Sequence, residues 1–201
     1  GYLPSTSGEV VIDGINVADD PISAKQKIGY LPESAPLYSD MTVSSFLSFI
    51  AELRGKGKAD VEDAIDTCFL GPVRRQSIDT LSKGYRHRTC LAQSILHDPE
   101  ILVLDEPTDG LDPNQKQEVR NLIKRMGEDK AIIFSTHILE EVEAACTRAI
   151  IIDQGRVVAD GSPDELKAKA TGAGSHIVKI SGMAGSGIRS ELSSISGVET
   201  V

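Results

Sequence analysis

Two hydrophobic rhythms alternate along this chain. Residues 101–104 and 131–134 are short continuous apolar runs, the pattern of strands buried on both faces of a parallel sheet. Shorter β-rich stretches at 9–13, closed by Gly14, and at 28–31, stopped by Pro32, also predict strands. Between these, Phe46, Leu47, Phe49, Ile50 and Leu53 recur at helical spacing. They predict a helix over 43–53, capped by Thr42 and ended by Gly55 and Gly57. Further helices are expected over 61–70, with Gly71-Pro72 as terminator, and over 85–96, halted at Asp98-Pro99.

The second half punctuates itself more sharply. Asp112, Pro113 and Gln115 predict a capped helix start, with Gln115 completing a capping box. A helix is expected over 139–145, then a hairpin of 149–152 with 157–159 turning at Asp153-Gln154-Gly155. Ser162, Pro163 and Glu165 form a second capping box, opening a helix to about residue 170. This alternation reads as α/β with a parallel sheet, interrupted by a helical stretch. The Gly-rich residues 171–175 mark a boundary, beyond which a strand over 176–180 and a helix over 188–192 are expected.

Composition narrows the class. The 201 residues suffice for one domain and part of another, at about 150 residues each. Apolar residues at 40% and charged residues at 25% suit a globular core. The net charge of -9 disfavours a broad nucleic-acid surface. Three scattered cysteines, Cys68, Cys90 and Cys146, suggest neither a metal site nor disulfides, and favour a reducing compartment. No apolar run approaches the ~20 residues that span a bilayer, so a membrane role would come through a partner.

The chemistry gathers at strand ends. The run Ile101-Leu102-Val103-Leu104 ends in Asp105 and Glu106. Adjacent acids closing a buried strand are costly unless they face a cation or a solvated cleft, and ligands of open α/β sheets sit beyond the carboxyl ends of the strands. Asp105 is placed to hold Mg²⁺ through water, and Glu106 to orient and deprotonate an attacking water. A strand end capped by solvated acids is the plainer alternative. Leu81-Ser82-Lys83-Gly84-Tyr85 stands directly ahead of a helix. Ser82 offers a hydroxyl, Gly84 admits close backbone approach, and the helix N-terminus favours an anion; a simple N-cap would also explain Ser82. Phe134-Ser135-Thr136-His137 follows the next strand, so His137 is expected at the same sheet edge as Glu106, where a γ-phosphate sensor could sit. Arg74, Arg75, Lys83, Arg86 and Arg88 form a basic cluster around residues 81–85. All but Lys83 read as a solvated, ion-paired face, and Lys83 as a phosphate contact.

Taken in order, these segments resemble the ABC ATPase family. Gly29-Tyr30-Leu31-Pro32-Glu33 matches its Q-loop, residues 81–85 its signature loop, residues 101–106 its Walker B strand, Gly110-Leu111-Asp112 its D-loop and Ser135-Thr136-His137 its switch histidine. The resemblance covers roughly residues 1–170. It implies a P-loop NTPase-like sheet with an inserted helical subdomain at about 40–95, followed from 171 by a linker and the start of a small α+β domain. It further implies a Mg²⁺-dependent ATPase driving a transporter, an exporter by preference. Two such subunits, identical or paired, would sandwich two ATP molecules head to tail. Each site would combine Asp105, Glu106, Glu33 and His137 of one subunit with Ser82, Lys83 and Gly84 of the other. Glu33 would share the metal with Asp105, and Asp112 would lie at the dimer interface. The helical subdomain would contact a membrane-spanning permease, placing the protein in the cytoplasm on the inner face of the cell membrane.

Departures from the family pattern sharpen the reading. The family's Gly-Lys-Ser/Thr phosphate loop does not occur in the sequence. It is expected upstream of residue 1, together with the adenine-stacking aromatic, so residues 1–201 alone are expected to be inactive. Gly182 and Gly187 have the right glycine spacing, but Ile188 stands where Lys is required. Glu33 replaces the usual Gln, and Lys83 and Tyr85 replace Gly and Gln, which together resemble the gliding-motility-type export branch. A soluble relative working in translation or DNA repair would carry tandem domains or long coiled coils. A non-catalytic module would lack Glu106 or His137.

Overall fold

The computed structural model describes residues 3–34, 36–169 and 192. The expected linker at 171–175, the strand at 176–180, the Gly182–Gly187 stretch and all but the last residue of the helix at 188–192 lie outside the described residues. The chain packs as two units, residues 1–149 and 150–201.

The first unit opens with β1 (Val11–Ile12) and β2 (Ile15–Asn16), an antiparallel pair. Asp13 and Gly14 turn it with φ of 47° and 75°, the two left-handed residues of a tight hairpin. A single strand was expected here; the turn starts earlier because Asp13 itself takes the left-handed conformation. A short helix α1 (Pro21–Gln26) follows, absent from the sequence reading although Asp20 caps it by accepting from Ser23 N at 3.1 Å. Then come β3 (Ile28–Leu31) and α2 (Val43–Leu53), both with the expected bounds, Thr42 Oγ1 accepting from Ser45 N at 3.2 Å.

Helix α3 (Lys58–Thr67) lies three residues earlier than expected. Gly57 N donates to Asp60 Oδ2 at 2.7 Å, which fixes the start. Phe69 at φ 57° turns the chain out before residue 70, and Gly71 opens a short 3₁₀ turn instead of ending a helix. Next are α4 (Lys83–Ile95), β4 (Ile101–Asp105), α5 (Pro113–Met126), β5 (Ala131–Ser135) and α6 (Leu139–Ala145).

Strands β3, β4 and β5 form a parallel sheet with β4 in the middle. Leu31 lies opposite Leu104, and Asp105 opposite Ser135, so all three strands end at one edge. Helix α4 packs on β3, α2 and α3, while α5 packs on α6. One core joins Leu31, Leu102 and Leu104 of the sheet to Phe46, Leu47, Ile65, Leu91, Val119 and Leu122 of the helices. Each such side chain stabilises the fold by about 1.5–3 kcal/mol when fully buried. Burial on both faces, expected for residues 101–104 and 131–134, is not found. Leu102 and Leu104 are buried, but Ile101 and Val103 are only half so. On β5, Ile133 is 66% exposed. The reason is geometric: Leu102, Leu104, Ile132 and Phe134 lie on the sheet face that meets the core, while Ile101, Val103 and Ile133 alternate onto the other face.

The second unit holds β6 (Ala149–Asp153), save its first residue, and β7 (Arg156–Gly161), a two-stranded sheet turning at Gln154 and Gly155 with φ of 46° and 75°. Helix α7 (Pro163–Lys169) starts with the expected box: Ser162 N donates to Glu165 Oε2 at 2.9 Å, and Glu165 N to Ser162 Oγ at 3.3 Å.

Candidate functional site

The C-terminal edge of the sheet brings four polar side chains together. Asp105 closes β4, and the next residue, Glu106, turns away at φ 47°. A non-glycine residue pays for that conformation, and such strain concentrates where surrounding bonds enforce it. Here Ser135, opposite Asp105 in the register, supplies two of them. Its Oγ accepts from Glu106 N at 3.0 Å and donates to Asp105 Oδ1 at 2.5 Å. Two residues on, His137 Nδ1 donates to Glu106 Oε1 at 2.9 Å. That hydrogen bond, and then the carboxylate's charge, raises the His137 pKa above the usual histidine value. The contact thus favours the protonated ring and orients the Glu106 carboxylate.

Glu33 is exposed, two residues beyond the end of β3 and thus at the same sheet edge as Asp105. No three His, Cys, Asp or Glu side chains among the described residues converge as a metal cage. Mg²⁺ does not need one, since it keeps several waters and takes one or two carboxylates plus substrate phosphates. Asp105, with one oxygen engaged by Ser135, fits that donor set.

Ser82 caps α4, its Oγ accepting from Tyr85 N at 3.3 Å, and remains exposed at the helix N-terminus. Gly84 is buried: a Cβ there would stand 2.8 Å from Gln115 Oε1 and 3.2 Å from Leu111. The chain's own 110–115 segment thus sits on it, a packing reason for glycine beside the ligand reason read from the sequence. Lys83 Nζ pairs with Asp109 Oδ2 at 2.7 Å. Asp112 caps α5, accepting from Gln115 N at 2.9 Å. Of the other basic residues, Arg74 meets Glu62 at 2.6 Å at the surface as expected, whereas Arg88, expected on a solvated face, is buried, paired with Glu118 at 2.7 Å and stacked 5.5 Å over the Phe69 ring. Burial pushes the Cys68 and Cys90 thiols up to about 12, so neither is a nucleophile.

Sequence reasoning did not assign roles to Ser135, Thr108, Asp109 or Glu141. The signal for Ser135 was its position at the end of one strand beside Asp105 at the end of another. For Glu141 it was an acid three residues after Ile138, on the helix stripe where an apolar residue belongs.

The chain is similar to known proteins. The family model described as ABC transporter matches residues 1–109. The linearmycin resistance ATP-binding protein LnrL of Bacillus subtilis (strain 168) is 31% identical over 177 residues, 86% of this chain and 57% of its own length. The ABC transporter ATP-binding protein NatA of the same organism is 34% identical over 170 residues, covering 82% of this chain and 69% of its own. Among solved structures, an ATP-binding subunit of an ABC transporter superposes with a TM-score of 0.75 at 26% identity, over 84% of this chain and 72% of that one. The chain thus spans a little over half the length of LnrL.

Proposed function

Because this chain belongs to the ABC transporter family, we propose that it is the ATP-hydrolysing part of a membrane transporter, an exporter, with its ATPase domain at about residues 1–170 and the helical subdomain at about 40–95. The contact of His137 with Glu106 at 2.9 Å carries this reading. Glu106 would orient the attacking water and accept its proton, while His137 would keep the carboxylate aimed and contact the γ-phosphate. Asp105 and Glu33 would hold Mg²⁺, which when bound neutralises charge on the phosphates. A second subunit, the same or a related one, would present Ser82, Lys83 and Gly84 to the ATP from across a dimer interface that includes Asp112.

Two further observations support the transporter setting. Tyr38, Phe49 and Leu53 are exposed on and beside α2, the Tyr38 and Phe49 rings 5.8 Å apart. An exposed apolar patch of this kind fits a protein partner, here a membrane-spanning permease that would hold the protein at the inner face of the cell membrane. No helix among the described residues is long and apolar enough to cross a membrane itself. Similarity to a protein named for linearmycin resistance supports the outward direction.

The test is Mg-ATP hydrolysis by the full-length protein with its permease, wild type against Glu106→Gln. Turnover should fall by roughly two orders of magnitude or more while ATP still binds. Equal activity would remove Glu106 from its role, and inactivity of both would favour a non-catalytic nucleotide-binding module. Residues 1–201 alone should show little turnover, because they contain no Gly-Lys-Ser/Thr loop to grip the phosphates.

A further inference from the structure

Glu141 is an acid on α6 that is only 1% exposed, and both of its oxygens are engaged. Thr108 Oγ1 donates to Oε1, and Thr136 Oγ1 donates to Oε2 at 2.8 Å. A buried carboxylate is costly unless hydrogen-bonded, and the two hydroxyls come from two different loops. Thr108 is itself buried and lies inside the turn that starts at Glu106, where Asp109 N donates to Glu106 O at 3.0 Å. Thr136 immediately precedes His137, and its Oγ1 also accepts from Ile138 N at 3.1 Å. One side chain therefore clamps the turn leaving β4 to the turn leaving β5, directly behind the point where Glu106 and His137 meet.

We propose that Glu141 is a positioning residue that sets the Glu106 carboxylate against His137 by holding Thr108 and Thr136. The proposal rests on the reading of Glu106 as the group that activates water. It reaches no reacting atom itself; it acts by fixing the two turns, and through them the left-handed backbone at Glu106. Misplacement of a catalytic group by about 1 Å costs on the order of a hundredfold, so losing either hydroxyl bond should be visible in turnover.

Thr136→Val, Thr108→Val and Glu141→Gln in the full-length protein each disturb the clamp; the two Val variants leave Glu141 itself in place. Single-turnover and steady-state ATP hydrolysis should show kcat lowered by roughly ten- to a hundredfold in each, with KM for ATP within about twofold of wild type. Thr136→Ser restores the hydroxyl and should keep kcat within about threefold. Adding Thr136→Val to His137→Gln should cost little more than His137→Gln alone, because both act through one contact. A merely structural role predicts the opposite pattern: a lower melting temperature, with losses that multiply in the double variant. That pattern, or folded variants with wild-type kcat, overturns the proposal. Should Glu141→Gln fail to fold, the Thr136→Ser and Thr136→Val pair decides alone. Failure of the underlying reading is distinct, since it would appear as a fully active Glu106→Gln.

Discussion

The His137 pKa is raised because Glu106 accepts from Nδ1 and its charge favours the cation; nearby Asp109 and Glu141 add to the effect. Its folded pKa is therefore above the unfolded value of ~6.5. The stability this contact contributes is complete below that value and is lost as pH rises through the raised one. With the His137 side chain 75% exposed, the consequence for folding is slight. The consequence for charge at the site is larger. A nuclear magnetic resonance titration should find the His137 pKa lowered towards the ordinary value in Glu106→Gln; an unchanged titration would mean the contact is not made in solution. Glu106 and His137 were legible in the sequence because each follows an apolar strand and is the polar group at its end. Ser135 and Glu141 were not, because their partners are 30 and 33 residues away in the chain and only the register brings them close.

Capping side chains made some helix starts legible, although Asp20 caps the unread α1 and Ser82 starts α4 two residues before the expected 85. Thr42, Asp112 and Ser162 each put a helix where the sequence reading placed it, whereas Gly57 carries no side chain and α3 was set three residues late. Strand burial was misread for the opposite reason, since an apolar run reports composition and not which faces find a cover. Close packing of elements was invisible too. A Cβ on Gly29 of β3 would meet the α4 backbone carbonyl of Ser94, and would stand 2.6 Å from Leu102 Cδ2 and 2.8 Å from Pro99 Cγ. Gly29→Ala should therefore destabilise by about 1–3 kcal/mol in urea unfolding. Gly84→Ala should cost less, because the nearest obstacle is the end of the Gln115 side chain, which can swing away. Equal midpoints for the two variants would contradict this packing account.

At the scale of the molecule, β5 ends the parallel sheet among the described residues, with Ile133 66% exposed upon it. Exposed apolar edge strands recruit further strands. Residues 1–201 should accordingly self-associate with rising concentration, and Ile133→Lys should lower the mass seen by light scattering; an identical mass for both would rule the edge out as the cause. The same molecule also fastens its two chemical regions together. Lys83 reaches from the start of α4 to Asp109, and its stem lies so close to Gly110 that a Cβ there would stand 2.5 Å away. Asp109 is in turn bonded to Glu106 through the backbone. If Ser82 and Gly84 face a neighbour's nucleotide while Glu106 faces the chain's own, the two compartments share a drive shaft. A displacement at the start of α4 would then reach the turn carrying Glu106 through one ion pair and one backbone hydrogen bond of the same subunit.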